Sequence, residues 1–124
     1  MTAFALLVKS YAPDLPYVER LMATVRLHNV ESIPVHVVVP QADVAAFAPV
    51  VGSDGHVLAE EAFVEHLTTE PVAGFGPGYI NQEIVKLAFW ETGLAENYFC
   101  IDSELEIVLD FGHDDFMADP TTPY

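Results

Sequence analysis

The sequence is poor in basic charge. Four Lys and Arg stand against nineteen Asp and Glu, a formal net charge of −15. A field of that sign repels nucleic acid and anionic lipid and makes both poor partners; it equally serves solubility or adaptation to salt. Cysteine is nearly absent. Cys100 alone forms no intrachain disulfide, and inside an apolar run it reads as a small core residue rather than a nucleophile. No apolar run approaches the ~18 residues of a membrane span. The opening Met1–Lys9 carries no basic leader before its apolar run, so no signal peptide and a cytoplasmic location are expected.

Other absences narrow the chemistry. The five histidines show neither H-x-H nor H-x-x-x-H spacing, which argues against a zinc site. No glycine lies between Val8 and Asp14, where a dinucleotide-binding turn needs one for close backbone approach. The glycines of 74–78 are not followed by Gly-Lys-Ser/Thr, so they are not a phosphate-cradling P-loop but a loop, a hinge or a lid. After the first strand stand Lys9 and Ser10, where an Asp-x-Asp phosphatase or a receiver domain needs acids.

What is present is an apolar half, 52% of the residues, enough for one domain spanning 1–124. Phe4–Val8 is a continuous apolar run, as in a strand buried on both faces of a parallel sheet, and Pro34–Val39 reads as a second buried strand. Between them Val18, Leu21, Met22 and Val25 recur at helical spacing, with Asp14 as N-cap and Pro16 in the first turn. A short helix over 43–51 and a third strand at His56–Leu58 follow, then a loop at 71–78. A helix from Tyr79 to Gly93, apolar on most faces, is expected to be well buried, with Phe89, Trp90 and Phe99 in the core. Tyr98–Ile101 reads as a fourth strand, Leu105–Leu109 as a fifth, and 110–124 as a polar tail. Strands alternating with helices predict an α/β fold, a mainly parallel sheet flanked by helices. Ligands of such sheets sit beyond the carboxyl ends of the strands.

The candidate chemistry lies at two such ends. Asp102-Ser103-Glu104 follows the fourth strand, and carboxylates at i and i+2 form a compact oxygen site for a hard divalent cation. A bare D-x-E is also a common acidic turn. The only two lysines, Lys9 and Lys86, fall at the candidate positions; for Lys86 a phosphate partner competes with an ion pair to Glu83 or a snorkelling side chain. Gln82 shares the face of Lys86 one turn earlier. His113-Asp114-Asp115 reads either as a metal ligand or acceptor contact, or as a solvated acidic turn.

Lys86-Leu87-Ala88-Phe89-Trp90, followed by Tyr98-Phe99-Cys100-Ile101-Asp102, resembles the corresponding stretch of GT-A fold glycosyltransferases, nearest to the glycogenin-type group and to an uncharacterised bacterial glycosyltransferase-like family. There a helix with a donor-contacting lysine precedes the strand that ends in an Asp-x-Asp motif. The resemblance implies a nucleotide-sugar donor as ligand, with an unknown acceptor. It implies that Asp102 and Glu104 hold Mn²⁺ or Mg²⁺ bridging the donor diphosphate, with Glu104 in place of the usual Asp. It further implies that Lys86 meets phosphate, that Lys9, Ser10 and Tyr11 meet base and ribose, and that Asp102 also contacts the ribose. For Tyr11 a simple loop role is the alternative. Gln82, on the Lys86 face, reads either as a contact to the sugar or, more commonly, as a satisfied polar helix residue. No catalytic residue is assigned. In that family the acceptor site is built after the acidic triplet, and here only twenty residues follow Glu104. The chain is therefore expected to be the donor-binding half, either a fragment, or completed by a second copy or a partner chain, or a donor binder without efficient transfer. The alternative is a non-catalytic acidic α/β module that assembles with a partner, its acidic triplet a structural turn.

Overall fold

A computed structural model describes residues 2–124. Four parallel strands, β1 (Thr2–Lys9), β2 (Val35–Val39), β3 (His56–Ala59) and β4 (Ala95–Ile101), form one sheet in the order β3-β2-β1-β4. Leu6 pairs with Val35 on one side and Phe99 on the other, and Val8 with Val37 and Ile101. Three helices cross between strands: α1 (Leu15–His28), α2 (Val44–Val51) and α3 (Pro77–Ala88). The α/β class and parallel sheet follow the expectation from alternating apolar runs.

Side-chain alternation along β1 divides the core into two layers. Phe4, Leu6 and Val8 join Val35, Val37 and Val39 against α1 and α2, through Val18, Leu21, Met22, Val25, Phe47 and Val51. Ala5, Leu7 and Val38 face the other way, onto Val85, Ala88 and Phe89 of α3 and the turn after it. β1 is apolar on both faces because both are covered.

Several details differ from the expectation. Asp14 is the N-cap of α1 and Pro16 lies in its first turn, as expected, but Asp14 ends a short 3₁₀ turn, Ala12–Asp14, and makes no capping hydrogen bond. The organising helix begins at Pro77, whose fixed φ suits a first helical position, with Gly76 as its N-cap. It ends at Ala88 and continues as a 3₁₀ turn, Phe89–Thr92, closed by Gly93 at φ +70°. It lies on the second face of the sheet with one side only, so of its residues only Val85 and Ala88 are buried. Phe89 is a core residue, but Trp90 (64% exposed) and Phe99 are not; Phe99 lies on β4, the outermost strand of its sheet.

No fifth sheet strand forms over Leu105–Leu109. The segment instead crosses α1: Arg20 pairs with Glu106 at 2.7 Å, the Ile107 amide donates to the Thr24 hydroxyl at 2.9 Å, and the Phe111 amide donates to the His28 carbonyl at 2.9 Å. Side chains of α1 satisfy backbone groups that a sheet would otherwise have paired. Nor is 110–124 merely a polar tail. Phe116 stacks on Phe4 at 5.0 Å and meets Phe99 at 5.1 Å, Phe111 and Met117 are buried, and Met117–Asp119 (β5) pairs with Thr122–Pro123 (β6). No helix among the described residues is long and apolar enough to cross a membrane.

Candidate functional site

The sheet order reverses between β1 and β4: β2 and β3 build outward on one side of β1, and β4 returns to the other. Loops leaving the carboxyl ends of these two strands diverge, and a crevice opens between them. A cleft of about 690 Å³ lies there. Lys9, Ser10 and Tyr11 from the end of β1, Gln82 and Lys86 from α3, and Asp102 and Glu104 after β4 all border it. Asp14, Glu60, Tyr79, Glu83 and Ser103 also line it; of these, sequence reasoning singled out Glu83 only as an ion-pair partner of Lys86. Nothing in the local sequence marks Glu60, which arrives from the turn after β3.

Lys86 projects from the last turn of α3, held in place by its own carbonyl, which accepts a hydrogen bond from the Tyr98 hydroxyl on β4. Its Nζ lies 3.6 Å from Asp102 Oδ1 and 3.6 Å from Glu83 Oε1. Lys9 is more tightly engaged: its ammonium donates to the Ser10 carbonyl at 2.7 Å and pairs with Glu60 at 3.1 Å. The Glu104 backbone carbonyl accepts from Arg20, and the residue borders the cleft. Ser103, buried between the two acids, donates to Asp14 Oδ2 at 3.3 Å, linking the acidic turn to the loop after β1.

Ser10 is the most informative residue of the wall. It is 3% exposed, its amide bonds to Val38 in the sheet, and its hydroxyl has no hydrogen-bond partner. A buried polar group without a partner is costly, and native folds hold few of them. Cys100 is partly buried on β4, and burial pushes its thiol pKa up; that makes it a poor nucleophile, as its apolar surroundings suggested.

Five carboxylates and two ammonium groups line the cleft, so its field is negative. An anion enters it only with a cation. No cluster of three or more His, Cys, Asp or Glu poised to hold a metal occurs among the described residues. Asp102 and Glu104, which both border the cleft, have the hard oxygen chemistry that suits a cation such as Mg²⁺, commonly held by one or two carboxylates with water and phosphate oxygens completing its shell. His113 takes no part in the cleft; it pairs with Glu31 at 3.1 Å, and this hydrogen bond lowers the Glu31 pKa. Asp115 caps the Gly112 amide, so the His113-Asp114-Asp115 turn is local structure.

Fold and cleft together define an α/β domain with a crevice at the switch point of a parallel sheet. Comparison with family models and with curated proteins finds no match to this chain.

Proposed function

We propose that this chain is the donor-binding unit of a metal-dependent glycosyltransferase of the GT-A kind, acting on a nucleotide-diphosphate sugar. One observation carries the reading: residues from three distant segments, 9–11, 82–86 and 102–104, border one cleft at the point where the sheet order reverses. Asp102 and Glu104 are the residues that would hold Mn²⁺ or Mg²⁺. Such an ion, when bound, supplies Lewis-acid stabilisation of a departing nucleoside diphosphate. Lys86 offers its ammonium to the phosphates, Lys9 and Ser10 border the same space, and Tyr11, half exposed, offers a ring for the base. Gln82 borders the same space and is the candidate contact to the sugar. No residue of this chain is assigned to the acceptor or to the transfer of a hexosyl unit itself.

The test is calorimetry with a nucleoside diphosphate, with and without Mn²⁺, on the wild type and on Asp102→Ala. Affinity that requires the ion and is lost in the variant supports the reading. Equal or absent binding in all arms removes it.

A second reading, an acidic module that assembles with another chain, is favoured by a separate feature. Leu87 (74% exposed) and Trp90 stand out from the far side of α3 and flank a shallow groove with Ile84 and His66. Sedimentation showing a dimer that dissociates on Trp90→Ser, together with indifference to Asp102→Ala, would favour that reading.

A further inference from the structure

The two lysines of the cleft are held in different ways. Lys9, 8% exposed at its side chain, has a carbonyl at 2.7 Å and a carboxylate at 3.1 Å, both within hydrogen-bonding distance, so its charge is fixed and locally satisfied. Lys86 is 18% exposed and sits 3.6 Å from each of two carboxylates, longer than a hydrogen bond to either. It is shared rather than captured. One of its partners, Asp102, is a residue proposed to hold the cation; the other, Glu83, lies three residues earlier on the same helix, at a spacing where side chains meet.

A cation at Asp102 competes directly with the Lys86 ammonium for that carboxylate, and like charges repel across so short a distance. Without another resting place, Lys86 would stay on Asp102 and oppose the cation. Glu83 is that place. Its carboxylate lies on the cleft wall, so an ammonium turning away from Asp102 stays within reach of an incoming anion.

We propose that Glu83 is a positioning residue that sets the order of binding in the cleft: it draws Lys86 off Asp102 so that a divalent cation binds first, then holds the ammonium until a diphosphate group takes it. This rests on the reading of the cleft as a cation and diphosphate site. It predicts opposite effects on the two ligands. With Glu83 neutralised, Lys86 pairs with Asp102 alone, and the cation binds more weakly. Once the cation is in place, Lys86 has no carboxylate to leave, and the anion binds more tightly.

The experiment is calorimetry on the whole chain with Mn²⁺ alone, then with inorganic pyrophosphate added to the Mn²⁺-loaded protein, for wild type, Glu83→Gln, Lys86→Met and the double variant. Circular dichroism checks that each is folded. Glu83→Gln is expected to weaken Mn²⁺ about two- to five-fold and to tighten pyrophosphate about two- to five-fold, the range of a partly exposed ion pair. Both shifts should vanish in the Lys86→Met background, because the residue acts through that ammonium. Persistence of both shifts without Lys86 would mean that only the charge of the cleft matters, and would overturn the inference. An unchanged Glu83→Gln protein overturns it as well while leaving the cation site standing. A wild type that binds neither ligand removes the underlying reading and this inference with it.

Discussion

The Tyr98 hydroxyl donates to the carbonyl of Lys86, tying the outermost strand of the sheet to the helix turn that carries the cleft's shared ammonium. The same ring packs edge-on against Phe89 at 4.9 Å, so α3 and the turn that follows it are both anchored to β4 through Tyr98. Burial raises the Tyr98 pKa, which keeps the donor protonated at neutral pH.

Tyr98→Phe preserves the aromatic packing and removes the hydrogen bond. The expected loss is about 1 kcal/mol of unfolding free energy, read from urea midpoints at constant m-value. A variant as stable as the wild type would show that the bond does not anchor the helix.

Asp102→Asn keeps the size of the side chain and removes its charge. Mn²⁺ affinity should fall at least about ten-fold, roughly 1.4 kcal/mol, while thermal stability stays within about 0.5 kcal/mol because the residue is exposed. Titration calorimetry and a melting curve check the two halves separately. Undiminished Mn²⁺ binding would move the cation elsewhere.

His36 is buried in β2, stacked on His56 at 5.3 Å and close to Phe89 at 5.4 Å, and its Nδ1 has no partner. Burial, and then the neighbouring His56 charge, push its pKa below the ordinary 6.5. The unfolded chain therefore takes up this proton more readily than the folded one. The stability linked to His36 is complete above pH 6.5 and is lost as pH falls through that value toward the folded-state pKa, with a slope of at most about 1.4 kcal/mol per pH unit. Urea midpoints from pH 7.5 to 5 should drop less steeply in His36→Phe than in the wild type. Parallel curves would rule out His36 as a source of the acid sensitivity.

Ala73 and Gly74 both have positive φ, +52° and +84°, in a two-residue turn closed by mutual backbone bonds of 2.9 Å between Val72 and Phe75. Glycine takes that geometry freely, and asparagine tolerates it; alanine is strained there by about 1 kcal/mol. Ala73→Gly or Ala73→Asn should raise stability by about 0.5–1 kcal/mol, visible as a higher melting temperature. Destabilisation by both would mean that the Ala73 methyl makes contacts worth more than its strain.

The division between local and tertiary information is clear at particular residues. The apolar runs of β1 and β2 and the helical spacing of Val18, Leu21, Met22 and Val25 are visible because burial writes its period into the chain. The apolar run at 105–109 looked the same locally but met α1 instead of a strand, so its period carried no pairing information. Phe111, Phe116 and Met117 were hidden among acids and prolines, where a few apolar side chains suffice to fasten a segment.

From the sequence alone came the α/β class, the acidic balance, the absence of zinc and dinucleotide signatures, and the acids and lysines worth watching, since each depends on residue type and short spacing. Only the tertiary structure decided that 9–11, 82–86 and 102–104 share one cleft, that Lys9 belongs to Glu60, that Lys86 is divided between Glu83 and Asp102, and that the Ser10 hydroxyl is left without a partner. Strand order and side-chain pairing depend on distances between segments far apart along the chain, and no local period encodes those distances.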